Sequence, residues 1–226
     1  MSAIILAGGP NLVIKPLSPH ESKLKPLVQF GKKCLLDLQL DWLGKNGFDD
    51  ITIATTEEVL NSYIPNSKVD YKELIEKENS PLGTAGAVKE ALKQSTSPDY
   101  VYIYVLNANS LIFYSIKPMM DLADPCSILL GKPRSPWGEV ELSGETVSTF
   151  DEKPLTSRYV SLGHYAFHKP LVKTFPEVGS LERDVLPLLA TTGLVKGYRY
   201  NSDVYHFNSY EEYLAVKKRL EINKKR

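Results

Sequence analysis

Ala3-Ile-Ile-Leu-Ala-Gly-Gly-Pro-Asn-Leu-Val-Ile-Lys-Pro-Leu-Ser-Pro-His-Glu-Ser-Lys-Leu-Lys-Pro-Leu-Val28 opens with an apolar run, Ile4-Ile5-Leu6-Ala7, that stops at Gly8-Gly9. A short continuous apolar run reads as a strand buried on both faces, as in a parallel sheet. The glycines that end it carry no Cβ, so backbone amides there can approach a phosphate closely. The run has no basic segment before it and leads straight into the glycines, so it reads as a first strand and not as a signal peptide.

The 226 residues, 42% hydrophobic and 24% charged, suffice for one well-buried α/β core. Lys plus Arg and Asp plus Glu balance at 27 each, so overall charge favours neither a nucleic acid nor a membrane surface as partner. Cys34 and Cys126 stand far apart. That spacing suggests neither a disulfide framework nor a zinc knuckle, and it fits a reduced, cytoplasmic setting.

Downstream, apolar positions at 35, 36, 38, 40, 42 and 43 form a helical stripe closed by Gly44 and Gly47. Strands are expected at 51–55, near 69–71 and at 100–106, with a helix over 84–93 between the last two. Strands separated by helices imply right-handed crossovers in a doubly wound, mostly parallel sheet, with ligands outside the carboxyl ends of the strands. Gly8-Gly9 and Asn107-Ala108-Asn109 fall at such ends. Pieces near 126–131, 138–142, 145–150 and 160–168 suggest a mixed β extension on the sheet edge. Ser180 and Ser209 are expected to cap helices.

Five separated segments resemble the sugar-1-phosphate nucleotidyltransferases, the NDP-sugar pyrophosphorylases of the GDP-mannose and glucose-1-phosphate type. They are Leu6-Ala7-Gly8-Gly9 with Lys25-Pro26-Leu27; Ser80-Pro81-Leu82-Gly83-Thr84-Ala85-Gly86; Asn107-Ala108-Asn109; Trp137-Gly138 with Glu152-Lys153-Pro154; and Val204-Tyr205-His206-Phe207. The resemblance implies a Rossmann-like, GT-A-like sheet in a single domain over residues 1–226, without a C-terminal left-handed β-helix. It assigns Leu6, Ala7, Gly8, Gly9, Lys25, Pro81, Gly83 and Thr84 to a nucleotide. It assigns Asn107, Gly138, Glu152, Lys153, Gly163 and Glu182 to a sugar phosphate, with Lys25 and Lys153 as the catalytic cations.

Four positions depart from that pattern. The family's glycine is Asn11, its arginine Val13, and its two metal-binding aspartates are Asn109 and His206. Magnesium takes carboxylates plus substrate phosphates, so an amide and an imidazole weaken the same site; Val13 removes the charge that would meet the leaving pyrophosphate. Asp203 lies three residues from His206, an odd offset that points it to the opposite face of a strand.

The expectation is therefore a degenerate member that binds a nucleoside triphosphate or NDP-sugar and has lost, or strongly reduced, nucleotidyl transfer. It would hold no metal of its own and assemble as a homo-oligomer or with an active paralogue. The alternative is an active enzyme that uses magnesium in an altered site and releases pyrophosphate. His164 and His168 read as polar residues beside the sugar segment, and Tyr100, Tyr102 and Tyr104 as core or interface. The basic residues from Lys217 to Arg226 read as a solvated helix end. Neither a Walker loop nor GxGxxG spacing occurs.

Overall fold

In the computed structural model, residues 1–9, 13–14, 23–77, 79–95, 101–135, 137–201, 205–207 and 209–223 are described. Strands β1 (Ser2–Ala7), β2 (Asp50–Thr55), β3 (Lys72–Ile75), β4 (Tyr102–Asn107), β5 (Cys126–Gly131), β8 (Val160–His168) and β9 (Val195–Arg199) form one seven-stranded sheet. Its order is β9-β5-β8-β4-β1-β2-β3. Strand β8 is antiparallel to both its neighbours, and all the other pairings are parallel. β6 (Glu139–Ser143) and β7 (Thr146–Asp151) pair only with each other, as a hairpin beside the sheet.

Alternation along β1 shows why the sheet is doubly wound. Ala3, Ile5 and Ala7 pack into a cluster with Leu36, Leu40 and Leu43 of α1 (Leu35–Lys45). Ile4 and Leu6, pointing the other way, pack with Ala85, Ala87, Val88 and Ala91 of α2 (Gly83–Lys93). Each inner strand is thus buried on both faces, as its unbroken apolar run requires. A third cluster joins Ile14, Phe30, Leu111 and Phe207 to Tyr213 and Val216 of the last helix, Tyr210–Asn223.

The mixed extension at the β4 edge is as expected, but two details differ. The third strand begins at Lys72, after the apolar residues near 69–71, because it pairs with Thr52–Thr55 through residues 72–75. Ser180 caps a five-residue π-helix, Leu181–Val185, with its hydroxyl accepting from Arg183 N–H; an α-helix, Leu186–Thr191, follows only afterwards. Ser209 caps the last helix as expected, accepting from Glu212 N–H at 3.1 Å.

Candidate functional site

The sheet changes direction between β1 and β4, and their carboxyl ends lie side by side: Leu6 pairs with Asn107, and Ala108 N–H donates to Leu6 O at 2.9 Å. A crevice is expected at such a switch point. A cavity of about 310 Å³ lies on the β8 side of β4, lined by Asn107, Asn109, Ser161, Gly163, Tyr165 and Glu182, with an apolar wall of Ile112, Pro133, Val160 and Leu162. It therefore brings together four of the sequence-selected residues, from β4, the turn after it, β8 and the π-helix.

Gly163 sits at φ +74°, and a Cβ there would lie 2.8 Å from Asn107 Nδ2. Glycine both permits the backbone and lets the Asn107 amide stand against β8. Asn107 Oδ1 is buried and has no hydrogen-bond partner among the described residues. A buried acceptor left this way is uncommon in folded proteins.

Neighbouring His164 corrects the reading of a polar residue beside the sugar. It is buried at 1% exposure, pairs with Leu106, and puts Nδ1 2.6 Å from Tyr104 Oη among the rings of Trp42, Tyr104 and Tyr114. Burial pushes its pKa down to about 3, so the imidazole is neutral. The His168 ring packs on Tyr102.

Glu182 is fastened by three hydroxyls. Thr84 Oγ1 donates to Oε2 at 2.9 Å, Ser180 Oγ to Oε2 at 3.0 Å, and Tyr165 Oη to Oε1 at 3.1 Å. The start of α2 is stitched to the same segment, with Ala85 N–H donating to Gly179 O at 2.9 Å and Gly179 N–H to Leu82 O at 2.8 Å. This approach demands glycines. A Cβ on Gly83, at φ +70°, would lie 2.4 Å from Gly179 O, and one on Gly86 2.3 Å from Glu177 O.

Gly8 and Gly9 lie at the end of β1, with Gly9 at φ +96°. A Cβ on Gly8 would lie 3.1 Å from Glu76 Oε1, while Glu76 Oε2 accepts from Leu82 N–H at 3.1 Å. Glu76 thus stands beside the Gly8 turn while holding the Leu82 amide, and burial raises its pKa against the opposing effect of that amide. Nothing in the sequence singled out Glu76. Tyr165 was equally unmarked, although its place two residues after Gly163 on one strand puts both on the same face.

The two catalytic candidates stand apart from the cavity lining. Lys25, in a 3₁₀ turn over Lys25–Leu27, is buried; desolvation lowers its pKa and Glu212 of the last helix opposes that shift. Lys153 is exposed at the foot of the β6–β7 hairpin, in the left-handed region at φ 48°, where Arg134 Nη1 donates to its carbonyl at 3.1 Å. A non-glycine residue held there stores on the order of 1–3 kcal/mol of strain, a pattern concentrated at functional sites. Gly138 and Glu152 face each other on that hairpin: a Cβ on Gly138 would lie 3.1 Å from Glu152 Oε2.

Tyr205–His206 pairs antiparallel with Ser110–Leu111, so the ladder sets position 206 opposite 110, one residue from Asn109. The two positions of the expected metal corner are therefore neighbours in the backbone. Their donors, one amide and one imidazole, carry no carboxylate and do not fit magnesium, a hard cation that favours anionic oxygen. Val13 is 40% exposed, on a two-residue ladder opposite Leu24. Asn11 and Asp203 lie outside the described residues.

This fold and site define a class: the chain belongs to the nucleotidyl transferase family, whose model matches residues 2–184. It is 28% identical over 230 residues to mannose-1-phosphate guanyltransferase of Debaryomyces hansenii, covering 92% of this chain and 59% of that protein. It is also 28% identical over 205 residues to mannose-1-phosphate guanylyltransferase 1 of Arabidopsis thaliana, covering 84% and 56%. The chain thus spans just under three fifths of the length of these relatives. HddC from Yersinia pseudotuberculosis shares the fold, with TM-score 0.71 at 24% identity over 97% of this chain and 99% of that one. A second structure of HddC, complexed with GMP-PN, matches with TM-score 0.68 at 22% identity over the same shares. Among the described residues, no helix is long and apolar enough to cross a membrane.

Proposed function

We propose that this chain binds a nucleoside triphosphate or NDP-sugar across the β1–β4 crevice and carries out little or no nucleotidyl transfer. In the family reaction, an oxygen of a sugar 1-phosphate attacks the nucleotide α-phosphorus and pyrophosphate leaves. The protein's part is positioning and charge neutralisation. The cavity offers the Glu182 carboxylate as an acceptor to a sugar, with an apolar wall against the ring. Gly8 and Gly9 offer backbone to phosphates, and Lys25 and Lys153 are the cations nearest in role to the family's own.

The observation that carries the reading is the Asn109–His206 corner. The frame that aligns the two positions is intact, while neither residue has a negative charge. Loss of one electrostatic stabiliser typically costs on the order of 10² to 10³ in rate. The names of the relatives and the GMP-PN complex of the structural neighbour make GTP, mannose 1-phosphate and GDP-mannose the first probes to try.

Calorimetry with these three probes, beside a pyrophosphate-release assay in magnesium or manganese, tests the reading. Binding with turnover absent or at least a hundredfold below an active guanylyltransferase is expected. Turnover at ordinary rates would overturn the loss of transfer, and absence of binding would overturn the ligand.

A further inference from the structure

Thr84, in the first turn of α2, is among the residues expected to meet the nucleotide, yet its hydroxyl is committed elsewhere. It accepts from Leu181 N–H at 2.7 Å and donates to Glu182 Oε2 at 2.9 Å. One hydroxyl thus serves the amide at the start of the π-helix and the carboxylate in the cavity wall. It is donor and acceptor at once, which uses its single proton and leaves one lone pair.

Glu182 is exposed apart from these tethers. A glutamate side chain loses rotamer freedom when it is fixed, and a ligand that must fix it on binding bears that cost. Here Thr84 and Ser180 share Oε2 while Tyr165 takes Oε1, so the carboxylate is aimed before any ligand arrives. The backbone bonds between Gly179 and residues 82 and 85 hold the two loops in register, and the near contacts at Gly83 and Gly86 leave no space for them to slide.

We infer that Thr84 is a positioning residue for the sugar side of the site: it orients Glu182, and through that bond makes the start of α2 and the sugar-binding carboxylate one mechanical unit. The assignment rests on the proposed ligand class, and it moves Thr84 from the nucleotide-contacting set to the sugar side. A ligand that reaches only the nucleotide half is indifferent to the Thr84 hydroxyl. A ligand with a sugar in the cavity is not.

The experiment is calorimetry of Thr84→Val, Thr84→Ala and Thr84→Ser proteins with GTP and, separately, with GDP-mannose. Valine and alanine should weaken GDP-mannose about tenfold, the worth of one to two hydrogen bonds, and leave GTP within twofold. Serine, which keeps the hydroxyl, should restore wild-type affinity for both; a purely structural role for the threonine methyl would not give that rescue. Alanine keeps the test open should valine prevent folding. Equal weakening of both ligands, or unchanged GDP-mannose affinity in the alanine protein, would overturn the positioning role. If wild-type protein binds neither probe, the ligand class itself is wrong, an outcome distinct from either.

Discussion

The two regions of the candidate site, the Gly163–Glu182 end and the Asn109–His206 corner, are supported in different ways. At the Gly163–Glu182 end, side chains are held by contacts that tolerate almost no change: three hydroxyls on one carboxylate, and glycines at positions where a Cβ would lie 2.3 to 2.8 Å from a neighbour. At the Asn109–His206 end, a two-residue ladder over the Leu111 and Phe207 cluster fixes the backbone and leaves the chemistry to whatever side chains it carries. Packing constrains the first end for stability's sake. At the second, main-chain pairing that any residue can supply sets the backbone, so its residues can change while the fold persists.

The largest effect should come from replacing the chemistry of the weaker-constrained end. Combining Asn11→Gly, Val13→Arg, Asn109→Asp and His206→Asp should raise magnesium-dependent pyrophosphate release from GTP and mannose 1-phosphate by 10² or more, on the order of one restored stabiliser. Such residues act as a unit, so each change alone should do far less than the four together. If the fourfold variant binds both substrates and gains nothing, the two ends are not separable and the contrast fails.

Next in size is damage to the packed end. Gly86→Ala places a methyl 2.3 Å from Glu177 O inside a helix whose backbone needs no unusual φ, so the penalty is steric alone. A loss of about 3 kcal/mol is expected, lowering Tm by roughly 6 to 12 °C in a chain of this size. A Tm within 2 °C of wild type would mean that α2 and the Gly179 segment yield easily, and the support claimed for Glu182 would go with it.

How much of this was legible in the sequence follows the same division. The uninterrupted apolar runs of β1 and β4 gave the parallel core because burial on both faces leaves no alternation to misread. Gly83, Gly86 and Gly163 were marked by residue type, which is the only trace a close backbone approach leaves in a sequence. Hidden instead were the partners. Glu76 accepts from the Leu82 amide beside Gly8 and Thr84 bonds to a carboxylate 98 positions away, and no local pattern encodes such a bond. The π-helix escaped notice for a related reason: Ser180 looks like an ordinary N-cap until its chain meets α2.

His164 sharpens the comparison through pH. Its folded pKa, near 3, lies below the ~6.5 of an unfolded histidine, so between those values the unfolded state holds the extra proton. Its contribution to stability is therefore present above about pH 6.5 and is lost as pH falls towards 3, at up to ~1.4 kcal/mol per unit. Urea unfolding of His164→Gln between pH 7 and 4 should show a shallower pH dependence than wild type by about that slope. Identical slopes would place the β8 wall outside the rigid end.

The smallest expected effect concerns Lys153, whose backbone is strained while its side chain is exposed. Lys153→Gly relieves the left-handed conformation but restores chain entropy to the unfolded state, so the net gain should be about 0.5 to 1 kcal/mol, or roughly 1 to 4 °C in Tm. The same change removes the ammonium and should weaken mannose 1-phosphate, whose phosphate carries the charge that the lysine would meet. Lys153→Met separates the two effects, because it keeps the backbone penalty and removes only the charge. Weakened binding in both variants with a Tm rise in the glycine protein alone would show strain retained to place a cation, here at an exposed turn where packing cannot account for it. A Tm rise in the glycine protein without any loss of affinity would leave the strain unexplained by the ligand and would count against Lys153 in the site.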